Sequence, residues 1–235
     1  MIELRSLLFG RFTEIEPLNR SFVPGHPKLK MTVDTEGTPS VPDVALLERL
    51  AEAFPRLEGH RCRAPSDSSG SAAAGTRILL LDADSSANQA HLLEHLTLEM
   101  LSTLDHEQRL SGVTCAYAAP AERNDVFVEC SEPEWGLFAA MLAVEAMNAA
   151  LAHDPLAPLY PDVLSCSQVM RGEPVGVWSP MLLGHLAGIA NDRARSALDV
   201  LERASLVGRE EFSINLSGEP YYRLRRQRAL PGHDR

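Results

Sequence analysis

Residues 88–104 constrain this chain more than any other stretch, because one helical apolar rhythm there carries chemistry-bearing side chains at fixed offsets. Leu92, Leu93, Leu96, Met100, Leu101 and Leu104 recur at the spacing of an amphipathic α-helix, and Ser85 or Ser86 is placed to cap its start. On such a helix His91 and His95 stand one turn apart on one face, with Glu94 on its flank. Two imidazoles so placed can converge on one metal ion, and a flanking carboxylate can take a proton from water beside it.

The H-x-x-E-H order inverts the H-E-x-x-H arrangement of zinc peptidases. Zinc hydrolase sites use three protein ligands and leave one position for water, so a third ligand must come from elsewhere in the chain. Glu132, Glu134 and Glu99 are the candidates. Glu99 lies about 12 Å along the helix from His91, far for shared coordination, and is expected to orient His95 or to face solvent. Glu132 and Glu134 open a later helix, where acids also sit well on electrostatic grounds alone. His60 and Cys62 read as a loop histidine and a partly buried thiol rather than as ligands.

The elements around this helix follow from pattern. Residues 2–7 and 29–33 read as strands, and residues 44–54 as a helix started by Pro42 and Asp43. Residues 65–75 form a Ser/Ala/Gly-rich loop, and residues 78–81 a buried strand. After the H-x-x-E-H helix come two short strands, 113–117 and 126–130, joined by a polar connection at 120–125 and followed by an apolar helix from Trp135 to Leu151. The fold class is α+β, with a small mixed N-terminal domain in which the motif helix packs on a sheet.

Composition limits the function classes. No apolar run approaches the length of a membrane span, and Met1-Ile2-Glu3-Leu4 has neither the basic start nor the apolar stretch of a secretory signal. A soluble, cytoplasmic protein with no membrane partner is expected. Four cysteines without a C-x-x-C pair argue against a disulfide framework or a zinc ribbon. Residues 1–175 hold 13 basic and 25 acidic side chains, whereas residues 176–235 hold 9 and 7. So acidic a body repels nucleic acid, and any duplex DNA must be met by the last quarter.

That quarter has its own pattern. Residues 181–189, a turn at Ala190-Asn191, residues 193–205 and a strand at 206–209 give helix, turn, helix and strand. Residues 212–215 and 221–224 read as the two strands of a wing around Ser217-Gly218-Glu219-Pro220. The run from Ala194 to Ala204 is similar to that of winged helix-turn-helix regulators. In that family the second helix enters the major groove, which implies Arg193, Arg195 and Ser196 near bases and Arg225 near phosphate. Winged helices also serve as docking or dimerisation modules, so a homodimer stays open as an alternative. The expected domains are 1–160, a proline-containing linker at 161–177, and a winged-helix domain at 178–235.

The first 160 residues carry a further resemblance. The order Leu57-Glu58, His60 and Cys62, then His91, Glu94, His95, Leu98 and Glu99, then a strand ending in acids before Gly136 and an Ala-rich helix, resembles the N-terminal domain of cyanophycin synthetase. In that family the domain precedes an ATP-grasp and a Mur-ligase-like domain, and in many members holds a metallopeptidase-like site that cuts an Asp-Arg polymer. The resemblance implies His91, His95 and Glu132 as ligands of Zn²⁺ or another divalent metal, and Glu94 as general base. The sequence contains neither an ATP-grasp nor a Mur-ligase segment, and residues 110–117 lack the family's arginines. Two classes of function stay open. One is a metal-dependent hydrolase acting on amide or isopeptide bonds of a peptide-like or small-molecule substrate. The other is a regulator or adaptor whose N-terminal domain senses a ligand or is catalytically degenerate.

Overall fold

The computed structural model describes residues 1–37, 44–59, 89–104, 110–173, 176–203, 206–210 and 218–225, and the chain is mixed α and β. Its N-terminal part is built on an antiparallel sheet of β1 (Glu3–Gly10), β2 (Lys28–Asp34), β3 (Gly112–Ala116) and β4 (Arg123–Glu129), in the order β1-β2-β4-β3. The two central strands show why the sheet has two different faces. Leu29, Met31 and Val33 of β2 and Val126 and Val128 of β4 are fully buried on one face, under the helices. Lys28, Lys30, Thr32 and Asp34 lie opposite Glu129, Phe127, Asp125 and Arg123 on the other.

That second face is tied by charge. Lys30 Nζ is 2.8 Å from Asp125, and Arg5 and Arg123 clamp Asp34, holding its carboxyl well below the usual carboxylate range. Lys28, fully buried, donates to Glu16 at 3.1 Å and to the His26 carbonyl at 2.9 Å, which straps the segment after β1 over the sheet. Ile15, Phe22 and Phe127 make a small core beneath that strap.

Helices α2 (Gln89–Leu104) and α3 (Pro133–Leu151) cover the apolar face, and α1 (Val44–Ala53) packs against α3. Proline at its first position starts α3, where the missing N–H costs nothing. Ala139, Ala140, Ala143 and Ala146 are all buried, and their small side chains let α2 and the sheet approach closely. At Gly136 a Cβ would stand 2.6 Å from Cys130 Sγ, so glycine is required by packing.

From here α4 (Leu159–Gly172), α5 (Pro180–Ala187), α6 (Asn191–Arg203), β5 (Val207–Glu210) and β6 (Tyr221–Leu224) follow. Ser179 caps α5 by accepting the Leu182 N–H, and Gly188 ends it at φ 69°. β5 pairs antiparallel with β6, and Trp178 bridges to Tyr222 on the far side of β6. The expected strand at 212–215 lies outside the described residues, as do the strand at 78–81, the loop at 65–75, His60, Cys62, Ser85 and Ser86.

The linker expected at 161–177 is mostly helix. In α4, Val163, Leu164, Cys166 and Met170 are buried, and Arg171 donates to the Leu104 carbonyl at 2.8 Å. Pro158 is the N-cap of α4 and Pro161 stands in its first turn, where proline is tolerated; these prolines start a helix instead of interrupting the chain. One contiguous set of buried apolar side chains therefore runs from β2 through α2, α3 and α4 to α6. None of the described helices is long and apolar enough to cross a membrane.

Candidate metal centre

The motif helix α2 was expected to be amphipathic, yet it is buried on nearly every side, because the sheet, α3 and α4 all pack on it. Glu94, His95 and Glu99 are therefore inside the protein, at 5%, 4% and 3% exposure. Charged groups so placed need partners or an altered protonation state.

His91 and His95 face each other as the i, i+4 spacing requires. Their Nε2 atoms are 2.9 Å apart, and the rings stack at 4.8 Å between centroids. At that distance one Nε2 carries a proton and the other accepts it. Burial lowers the pKa of His91, which favours the neutral imidazole that ligates metals.

Glu94 points toward β3. Thr114 Oγ1 donates to its Oε2 at 2.6 Å, and a Cβ on Gly112 would stand 2.7 Å from Oε1. Burial pushes the Glu94 carboxyl up to about 7, with the Thr114 hydroxyl pulling the other way. Such a group exchanges protons near neutral pH, as a general acid or base must. Gly112 and Thr114 were not singled out as site residues by sequence reasoning. The available signal was strand alternation: residues 112, 114 and 116 share one face, all small, opposite a helix that carries a carboxylate.

The other expected residues stand elsewhere. Glu99 is buried rather than solvated, with Arg56 Nε 3.8 Å away and the Thr103 hydroxyl 3.5 Å away. Glu132 precedes α3 as its N-cap, and its carboxylate is bound by Arg171, whose guanidinium also lies over Trp135. Glu134 is in the first turn of α3. Among the described residues no three His, Cys, Asp or Glu side chains stand together as a ligand set, so the imidazole pair is the part of the expected centre that is brought together.

The residues expected at DNA are mostly engaged within the chain. Arg193 makes a bidentate pair with Asp162 of α4 at 2.7 and 2.6 Å, Arg195 pairs with Glu219 at 3.0 Å, and the Ser196 hydroxyl donates to the Asp192 carbonyl. Arg225 is exposed, with its guanidinium against Gly208. Compared with known families and curated proteins, the chain matches no family model and no curated sequence.

Proposed function

We propose that this chain is a metal-dependent amide hydrolase of the inverted H-x-x-E-H type, in which His91 and His95 hold Zn²⁺ or another divalent ion and Glu94 moves the proton. The observation that carries this reading is the 2.9 Å approach of the two Nε2 atoms, on a helix that also buries the Glu94 carboxyl against Thr114. His91 and His95 would supply two imidazole ligands to the ion, and a third would have to come from elsewhere in the chain. Glu132 becomes a third ligand only by leaving Arg171. When bound, the ion supplies positive charge that polarises a carbonyl and acidifies water. Glu94 takes the proton of the attacking water and returns it to the departing amine as the C–N bond breaks, while Thr114 keeps the carboxyl aimed. The likeness to the cyanophycin synthetase domain makes amide and isopeptide bonds of an Asp-Arg polymer the first substrates to try.

The test is metal content. Purified protein should carry a divalent ion that the His91→Ala/His95→Ala double variant lacks, and stoichiometric metal in that variant would sink the reading. Glu94→Gln should keep the ion and lose hydrolysis by a factor on the order of 10² or more.

A second reading concerns the C-terminal unit. The order α4, Trp178, α5, α6, β5, β6 supports a winged helix with α4 as its first helix. Its arginines at 193, 195, 203, 209 and 223 are each paired with an acid, while Met181 is 67% exposed and Leu186 42% on α5. Those two facts favour docking to protein over reading duplex DNA.

A further inference from the structure

Among the described strands β3 lies at an edge of the sheet, and its hydrogen-bond parity fixes which of its groups face outward. The Glu129 N–H donates to the Ser111 carbonyl and the Tyr117 N–H to the Arg123 carbonyl, so residues 111, 113, 115 and 117 bond to β4. Residues 112, 114 and 116 therefore turn their main-chain groups away from the sheet. The Gly112 carbonyl is taken by Asn19 Nδ2 at 2.7 Å, which closes that end of the edge. Among the described residues, nothing pairs with the outward main-chain groups of Thr114 and Ala116.

Among the described residues, the opposite edge of the sheet is protected and this one is not. β1 carries a register shift between Leu4 and Ser6 and a charged pair, Glu3 with Arg5, both of which discourage pairing with a further strand. β3, with the sequence GVTCA, has no charge, no proline and no register shift. Thr114 also joins the edge to the site, because its side chain holds Glu94 on the helix face while its main chain points outward. A strand added there lies about 4.8 Å from β3.

We propose that the free edge of β3 takes an extended polypeptide segment as a fifth strand, paired through Thr114 and Ala116, so that the hydrolytic site acts on a peptide main chain rather than a small amide. This rests on the reading of His91, His95 and Glu94 as hydrolytic. Main-chain pairing selects for an extended backbone and tolerates varied side chains, which is the recognition a peptidase-like site needs.

The experiment uses the full chain with zinc added and reduced, unfolded casein as probe. In Glu94→Gln, which binds without turnover, casein should slow amide exchange at Thr114 and Ala116 by tenfold or more and leave Val113 and Cys115, already bonded to β4, unchanged. Ala116→Pro removes one outward donor without touching the β4 ladder, and should lower kcat/KM on casein by about tenfold at unchanged zinc content. Casein that leaves the Thr114 and Ala116 amides unprotected overturns the proposal. So does protection that appears without casein and grows with protein concentration, which would make the edge a contact between two copies. Zinc held by the histidines and hydrolysis of alanine anilide, without edge protection, sinks this inference alone. Loss of zinc binding with edge protection intact sinks the hydrolytic reading instead.

Discussion

Glu94 shows most directly how burial sets chemistry at a single residue. Its carboxyl ordinarily titrates near 4.5 and in the fold near 7. A raised pKa means the folded state holds its proton more tightly than the unfolded chain does, so the stabilisation is complete below pH 4.5 and is lost as pH rises through 7. In metal-free protein this side chain should cost about 3 kcal/mol of unfolding free energy between those limits. Denaturant melts in chelator should show that loss in the wild type and not in Glu94→Gln; parallel curves for the two would show that Glu94 is not the group responsible. The H-x-x-E-H spacing made His91, Glu94 and His95 legible from sequence, since four residues make one helical turn. Thr114 and Gly112 were harder to see, because a hydroxyl and a missing Cβ act only through a partner 18 to 20 residues away.

At the scale of elements, local signals worked where the chain obeys one period. The strands at β1 and β2 and the helices α2, α3 and α6 fall where alternation or helical spacing put them, while β4 begins at Arg123, inside the connection expected at 120–125. α4 stands where prolines suggest a linker at 161–177, because local pattern does not distinguish proline that starts a helix from proline that breaks one. The consequence reaches Arg193. Expected to approach bases, it instead pins α6 to α4 through Asp162, whose side chain is only 6% exposed. Asp162→Asn should therefore lower the melting midpoint, since a buried carboxylate loses the bidentate bonds of a half-exposed guanidinium. Thermal melts of Asp162→Asn and Arg193→Ala check this, and unchanged midpoints for both would return Arg193 to the candidates for binding.

At the scale of the whole molecule, the larger apolar core of the described residues draws on both expected domains, beside the small core under the strap. α4 belongs to the three-helix packing of the C-terminal unit and also contacts α2, where Arg171 caps the Leu104 carbonyl. A fragment spanning 178–235 lacks Val163, Leu164, Cys166 and Met170 from its own core. It should show little helix by circular dichroism, whereas a fragment from residue 155 onward should show native-like helix. Folded behaviour of the shorter piece would mean that α4 is dispensable. The sheet order has a consequence for synthesis. β2 is flanked by β1, made just before it, and by β4, made about ninety residues later. At about 5–20 residues per second, a nascent chain holds Leu29, Met31 and Val33 uncovered for roughly 5–20 s before β4 emerges, and α3 comes later still. Over that interval half a sheet hangs from the ribosome with its apolar side bare, and slowing translation between codons 35 and 122 lengthens the time in which a holdase chaperone can capture it.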